Sequence, residues 1–427
     1  MLRFLRSLIP SKLLNLIRSP YHFLLAFAGA FFYKHPSKDL TVIGVTGTKG
    51  KSTTVELLSA ILNSAGCKTA STSTIRFSIG NKIQENKYKM TMPGRFFLQK
   101  FLSEAVEQNC TYAVLEMTSE GAKQHRHAFV HMNALVFLNL SPEHIDSHGS
   151  YENYKKAKLS LAKALEGSPK GDRAIIVNSD DKEAPDFLSV DVEHKLTFSL
   201  NHAEKIKDTE EGLSFVYNGE HIVSSLRGHF NVYNICAALT ATEYFGIPTQ
   251  TAKRAVALTD RIEGRVEEVK ISQNQPFKVY VDYAHTPDSL KALYETFEDQ
   301  RLVCVLGSAG GGRDRWKRPE MGKLAEKYCK YIILTNEDPY DEDPREIVED
   351  IKKGMEKQKP KIIMERREAI KKALKKALSL SQDKKDGRQT IVLITGKGTD
   401  PFIMGPHGSR EPWSDTGATI EELKKVL

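Results

Sequence analysis

The nine residues Gly44-Val-Thr-Gly-Thr-Lys-Gly-Lys-Ser52 constrain this chain more than any other feature. They follow Thr41–Val45, a β-branched run read as a buried strand. They precede Ser52–Asn63, where Val55, Leu58, Ile61 and Leu62 recur at helical spacing. A strand, a Gly-rich turn and a helix start together present backbone N–H groups to phosphate oxygens. Gly47, Thr48, Lys49, Gly50, Lys51, Ser52 and Thr53 are therefore candidate contacts to ATP. Lys51 would reach the terminal phosphates, and the Ser52 hydroxyl would sit on Mg²⁺. The run is not a strict Walker A motif, because Val45 stands where that pattern has Gly.

The rest of the chain continues this pattern. Tyr112–Leu115, Ala134–Leu138 and Ala174–Val177 read as further strands with helical segments between them, as in a parallel α/β sheet. Residues 195–226 read as short antiparallel strands with an Asn218-Gly219 turn, and Asn231–Phe245 reads as a helix. A second α/β pattern follows: Lys278–Asp282, a helix from about 288, Leu302–Leu306, Tyr331–Leu334, Ile362–Met364, a Lys-rich helix from about 367, and Ile391–Thr395. The fold class expected is α/β, with a P-loop-type parallel sheet in a central domain at 40–260 and a Rossmann-like α/β domain at 261–427. A short helical segment at 1–39 precedes them.

Charge locates that segment's character. Lys and Arg number 62 against 54 Asp and Glu, a net charge of +8. Residues 1–40 hold Arg3, Arg6, Lys12, Arg18, Lys34 and Lys38 against Asp39, which is +5, leaving +3 for the other 387 residues. No nucleic-acid partner is implied. Ser19–Tyr33 is the segment's longest charge-free run, short of the about 20 residues that span a bilayer. Basic residues interleaved with Leu, Ile and Phe suit either a helix in the membrane interface or one packed on the body. The protein is expected to be cytoplasmic and monomeric, with peripheral contact to the inner face of the cytoplasmic membrane through residues 1–33. The cysteines, Cys67, Cys110, Cys236, Cys304 and Cys329, are scattered with no CxxC, and read as isolated buried thiols.

Two residues add to the phosphate loop. Glu116 closes the apolar run Tyr112–Leu115, and a carboxylate at the end of a parallel strand is well placed for Mg²⁺. His144 also follows a strand, within Asn139-Leu-Ser-Pro-Glu-His-Ile-Asp-Ser-His-Gly149.

Taken with Tyr154-x-x-Ala-Lys158, Gly-Arg265, Val281-Asp-Tyr-Ala-His-Thr-Pro287, Lys-Arg-Pro319 and Gly-Lys-Gly398, these motifs resemble the Mur ligase family over about residues 40–427. They are most similar to the members that add the third residue to UDP-N-acetylmuramoyl-dipeptide. The resemblance implies an ATP-dependent acid–amino-acid ligase of peptidoglycan precursor synthesis, acting through an acyl phosphate. Its substrates would be ATP, a UDP-N-acetylmuramoyl-peptide and an amino acid, a diamino acid being expected. Lys51, Glu116, His144 and Lys158 would be catalytic, and Ser52, Glu116, His144 and Lys158 would serve the metal. Lys158 matches a lysine that is carbamylated in the family, although spacing alone puts it among lysines on a solvated helix face. Asn231, Asn234, Arg265, Asp282 and His285 match nucleotide contacts. Thr91, Thr118, Gln124 and Arg126 match the muramoyl-peptide side; Arg318, Asp338, Tyr340, Gly396 and Asp400 match the amino-acid pocket.

The chain also departs from the pattern. The resemblance leads one to expect a first, sugar-nucleotide domain ahead of residue 40, where this sequence reads as the basic apolar segment instead. Lys49 replaces an Asn, Thr118-Ser119-Glu120 a Ser-Ser-His, and Thr91-Met92 a Thr-Thr pair. Glu337-Asp-Pro-Tyr340 aligns with Asp-Asn-Pro-Arg, so the arginine expected to hold a distal carboxylate is a tyrosine. Thr399-Asp400 stands where His-Glu would be. Alternatives within the superfamily are a folylpolyglutamate-type ligase and the Mur-like subunit of a lipid-linked precursor amidotransferase. The latter usually carries a four-cysteine insert, absent here.

Overall fold

A computed structural model describes residues 11–88, 90–143, 145–383 and 386–427, with side chains from Ser19 onward. The expectations for residues 1–10 and for His144 lie outside the described residues. The chain forms two compact units. The first takes residues up to Ser141, Tyr151–Ala203 and Tyr233–Val256; the second takes Pro142–Ser150, Glu204–Val232 and Ala257–Leu427.

The first unit begins with helix α1 (Ser11–Phe32), followed by β1 (Thr41–Thr46) and α2 (Lys51–Ser64). Next come β2 (Thr69–Thr72), β3 (Arg76–Ile79), β4 (Lys82–Glu85), α3 (Arg95–Glu107), β5 (Tyr112–Met117) and the short α4 (Ser119–Lys123). It continues through β6 (Ala134–Phe137), α5 (Tyr151–Glu166), β7 (Ala174–Asn178) and β8 (His194–Phe198). The sheet order is β4-β3-β2-β5-β1-β6-β7-β8. Strands β2, β5, β1, β6, β7 and β8 run parallel, and β3–β4 is an antiparallel hairpin on one edge. The β1, β5, β6 and β7 interiors are almost wholly buried, which is why they read as continuous apolar runs.

Strand β8 corrects one expectation. Read as part of an antiparallel group, it pairs parallel to β7 at the sheet edge. Its largely exposed residues carry no apolar run to mark it as part of the central sheet. The remaining strands of that group, β9 (Ala203–Thr209), β10 (Gly212–Tyr217) and β11 (Glu220–Ser224), form a small sheet. Asn218 and Gly219, both with positive φ, turn β10 antiparallel onto β11.

Helix α6 (Phe230–Tyr244) follows. The second unit's main sheet contains β12 (Glu267–Glu268), β13 (Lys278–Asp282), β14 (Arg301–Leu306), β15 (Cys329–Leu334), β16 (Lys361–Ile362) and β17 (Thr390–Thr395). The order is β12-β13-β17-β14-β15-β16, parallel apart from β12. Apolar clusters cover it on both faces, as a parallel sheet requires. Helices α7 (Pro287–Glu295), α8 (Lys317–Tyr328), α9 (Arg366–Ser381) and α10 (Asp415–Val426) contribute to them.

The cysteine reading is corrected on β14 and β15. Cys304 and Cys329 form a disulfide, with Cα atoms 6.2 Å apart. Twenty-five residues separate them in sequence, and only the parallel pairing of their strands brings them together. Cys67, Cys110 and Cys236 are free thiols.

Candidate active site

The phosphate loop turns between β1 and α2. Gly50 has φ +83, and a Cβ there would lie 2.2 Å from Asn234 Oδ1, so the loop is closed down onto that side chain. Asn139, which the sequence reading left without a role, anchors the loop. Its Oδ1 accepts from the Thr48 and Lys49 amides at 3.1 and 2.9 Å, and its Nδ2 donates to the Lys49 carbonyl. Thr48 Oγ1 meets the Tyr154 hydroxyl at 2.9 Å and accepts from the Ser141 amide. Lys51 Nζ folds back to donate to the Thr48 carbonyl. Thr53 is buried beneath the loop at the start of α2.

Glu116 is 2% exposed at the C-terminal end of β5. Its Oε2 accepts from Ser52 Oγ at 2.9 Å and from the Thr74 amide at 2.7 Å. Thr74 Oγ1 also donates to Glu116 and meets Thr91 Oγ1 at 2.7 Å. Thr74 is a second residue the sequence reading missed. The cluster is made of hard oxygen donors, which fits Mg²⁺; that ion keeps waters and takes one or two carboxylates together with phosphate oxygens. Among the described residues no group of three or more His, Cys, Asp or Glu could hold a metal ion by itself.

Lys158 differs from what spacing alone suggests. It is 2% exposed, and its Nζ donates to the Gly47 carbonyl at 2.6 Å. Helix α5 presents one of its several lysines inward, because Lys158 shares the buried stripe of Tyr154, Leu161 and Leu165.

Three of the four residues expected on the muramoyl-peptide side, Thr118, Gln124 and Arg126, fall on α4 and the turn after it. Thr118 Oγ1 caps α4 by accepting from the Gly121 amide. Gln124 Nε2 donates to Glu120, and Gln124 Oε1 accepts from Arg126 Nη2 at 2.9 Å. Arg126 Nη1 also donates to the Met92 carbonyl.

In the second unit, Asp282 ends β13. Its carboxylate accepts from the Val266 and Ala284 amides at 2.8 and 2.6 Å. Burial pushes its carboxyl above the usual range, against the opposing pull of Arg265. Arg265 lies over the Tyr283 ring at 4.4 Å. His285 Nε2 is 3.2 Å from Glu143, and the His285 carbonyl accepts from Lys317, whose ammonium burial holds below the usual range. Asn231 is buried and donates to the Arg227 carbonyl.

The expected amino-acid pocket contains a dense set of buried charges. Lys397 is fully buried between Asp338 and Asp400, at 2.8 and 3.3 Å. Arg318, also fully buried, is matched by Glu342 and Asp350. Gly396 has φ +107, and a Cβ there would fall 2.1 Å from Glu337 Oε2. Among the described residues that buried oxygen has no hydrogen-bond partner, and burial raises the Glu337 carboxyl. Tyr340, also with positive φ, lies against Gly311 and Arg313. It lines an open cleft of about 670 Å³ with Asp341, Glu342, Asp343, Arg410 and Glu411.

Comparison with known proteins shows the family. The model of the Mur ligase middle domain matches residues 45–242, and that of the Mur ligase glutamate ligase domain matches 264–398. The chain belongs to the Mur ligase family.

Mur ligases are ATP-dependent, amide-bond-forming enzymes of peptidoglycan precursor synthesis. This Mur ligase is 35% identical over 395 residues to the UDP-N-acetylmuramoyl-L-alanyl-D-glutamate–2,6-diaminopimelate ligase of Syntrophomonas wolfei, covering 89% of this chain and 78% of the relative. It is 34% identical to the UDP-N-acetylmuramyl-tripeptide synthetase of Roseiflexus sp., covering 94% and 82%. A solved diaminopimelate ligase superposes with a TM-score of 0.60 at 29% identity, over 90% of this chain and 78% of that one. The folylpolyglutamate synthase of Mycobacterium tuberculosis superposes with a TM-score of 0.70 at 17% identity, over 88% and 93%, a likeness of fold alone.

Proposed function

We propose that this Mur ligase adds the third residue, a diamino acid, to UDP-N-acetylmuramoyl-dipeptide. The observation that carries the reading is the Ser52–Glu116 contact beside the phosphate loop, which gathers the oxygen donors such a ligase needs. The terminal carboxylate of the dipeptide attacks the γ-phosphorus of ATP, ADP leaves, and an acyl phosphate results. The amine of the incoming residue then attacks the acyl carbon, loses a proton, and expels phosphate.

Residues of the first unit position the phosphates and the muramoyl-peptide. The amides of the 47–52 turn and Lys51 hold the phosphates, where charge neutralisation supplies much of the rate. Ser52 and Glu116 would hold Mg²⁺, which shields phosphate charge when bound. Lys158, carbamylated, would add an anion to the same group. Gln124 and Arg126 orient the muramoyl-peptide, Arg126 being suited to a carboxylate or pyrophosphate. Asn231, Asn234, Arg265, Asp282 and His285 serve the nucleotide, and Asp338, Gly396 and Asp400 serve the amino acid. The acidic lining beside Tyr340 favours an acceptor that ends in an ammonium.

We infer also that the enzyme works at the inner face of the cytoplasmic membrane. On α1, Tyr21, Leu24, Phe31 and Phe32 are exposed, and Arg3, Arg6, Lys12 and Arg18 precede them in the sequence. No described helix is long and apolar enough to cross a membrane. Removing residues 1–33 should weaken co-sedimentation with phosphatidylglycerol vesicles; unchanged partitioning would overturn this contact.

The ligase reading is tested by phosphate release from ATP with UDP-N-acetylmuramoyl-dipeptide and, in turn, diaminopimelate, lysine and ornithine. Release that needs both dipeptide and a diamino acid supports it. Release that ignores the amino acid contradicts it.

A further inference from the structure

Helix α1 does more than lie on the first unit. Its small residues face inward: Ala26 and Ala30 are buried, and a Cβ at Gly29 would lie 3.5 Å from the Phe96 Cα of α3. This close approach brings one flank of α1 over residues 125–129. Ser19 Oγ lies 2.9 Å from His125 Nε2. The Phe23 ring meets His125 edge-on at 5.8 Å and Phe129 at 5.2 Å, and Phe27 meets Phe129 at 5.5 Å.

The residues held in this way are the strained ones. His125 and Phe129 have φ of 52° and 64°, the left-handed region that bulky side chains avoid. Such conformations persist only where surrounding structure enforces them. Between them stands Arg126, bonded to Gln124 and to the Met92 carbonyl. From the other side, Arg95 of α3 donates to the Gln124 carbonyl at 3.0 Å. The turn is therefore clamped by α3 through Arg95 and by α1 through Ser19, Phe23 and Phe27.

We propose that Ser19, Phe23 and Phe27 are positioning residues for the muramoyl-peptide: they hold His125 and Phe129 in the turn that aims Gln124 and Arg126. The inference rests on the reading that Gln124 and Arg126 meet that substrate. It makes α1 a working part of the substrate site, in addition to any contact of its outer face with lipid.

The test uses the full chain and UDP-N-acetylmuramoyl-dipeptide as the varied substrate. Phe23→Ala with Phe27→Ala should raise its KM about tenfold or more, since small misplacement of a binding group is costly, while kcat and the KM for ATP stay within about twofold. Phe23→Tyr should retain the wild-type KM. Arg126→Ala separates the two ideas. If it raises the KM but the α1 variants do not, the inference falls and the reading of the turn stands. If Arg126→Ala leaves the KM unchanged, that reading falls and takes the inference with it. Should the double variant fail to fold, Ser19→Ala removes one exposed hydrogen bond, and amide exchange of residues 124–130 becomes the readout. Faster exchange there supports the clamp; unchanged exchange overturns it.

Discussion

Ser52 Oγ donates to Glu116 Oε2 over 2.9 Å, tying the first turn of α2 to the end of β5. Sixty-four residues of sequence are closed by this contact, and it holds the carboxylate beside the phosphate loop. Glu116→Gln keeps the shape and removes the charge. It should lower kcat about 100-fold, as loss of one well-placed electrostatic group does. It should also raise the Mg²⁺ concentration for half-maximal phosphate release. A normal Mg²⁺ titration curve in the variant would place the metal elsewhere.

Much of this cluster was legible in the sequence, because the phosphate loop is contiguous and Glu116 follows an apolar strand. Asn139 and Thr74 were not. Each is an uncharged side chain acting through hydrogen bonds to residues far along the chain, which leave no periodic trace. Lys158 looked like its neighbours Lys155 and Lys156, and only the inward face of α5 distinguishes it. The buried pairs Lys397–Asp338 and Arg366–Asp415, at 2.8 and 2.7 Å, were hidden for the same reason: charged side chains read as surface until a distant partner appears. The fold was easier, since continuous apolar strands announce a parallel sheet. The β3–β4 hairpin escaped because β4 is exposed throughout.

Lys158→Ala should abolish ligation, and added short carboxylates should restore part of it by supplying the anion of the carbamate. Lys158→Arg keeps a cation but cannot be carbamylated, so it should be as inactive as the alanine variant. Full activity of either variant without additives would refute the carbamate role.

Tyr340 stands where the family's diaminopimelate-selecting arginine is expected. Tyr340→Arg should therefore lower the KM for diaminopimelate about tenfold relative to that for lysine, the scale of one charge-assisted hydrogen bond. The comparison is made by phosphate release at saturating ATP and dipeptide. An equal change for both amino acids would remove Tyr340 from acceptor selection.

His127 is buried, and its Nδ1 has no hydrogen-bond partner among the described residues. Burial pushes its pKa down to about 4 from 6.5, with His125 adding to the shift. The unfolded chain then binds a proton that the folded one refuses. Stability from this neutral histidine is complete above pH 6.5 and is lost as the pH falls towards 4, by about 3 kcal/mol at most. Urea midpoints between pH 7 and pH 4 should show the loss, and His127→Gln should flatten it. An identical slope in the variant would assign the loss to other groups.

The central claim is activation of the dipeptide carboxylate by phosphoryl transfer. It is tested most directly by labelling that terminal carboxylate with ¹⁸O and weighing the phosphate released during ligation. An acyl phosphate carries one carboxylate oxygen away, so phosphate should contain one ¹⁸O for each amide bond formed. Unlabelled phosphate accompanying a new amide bond would contradict it.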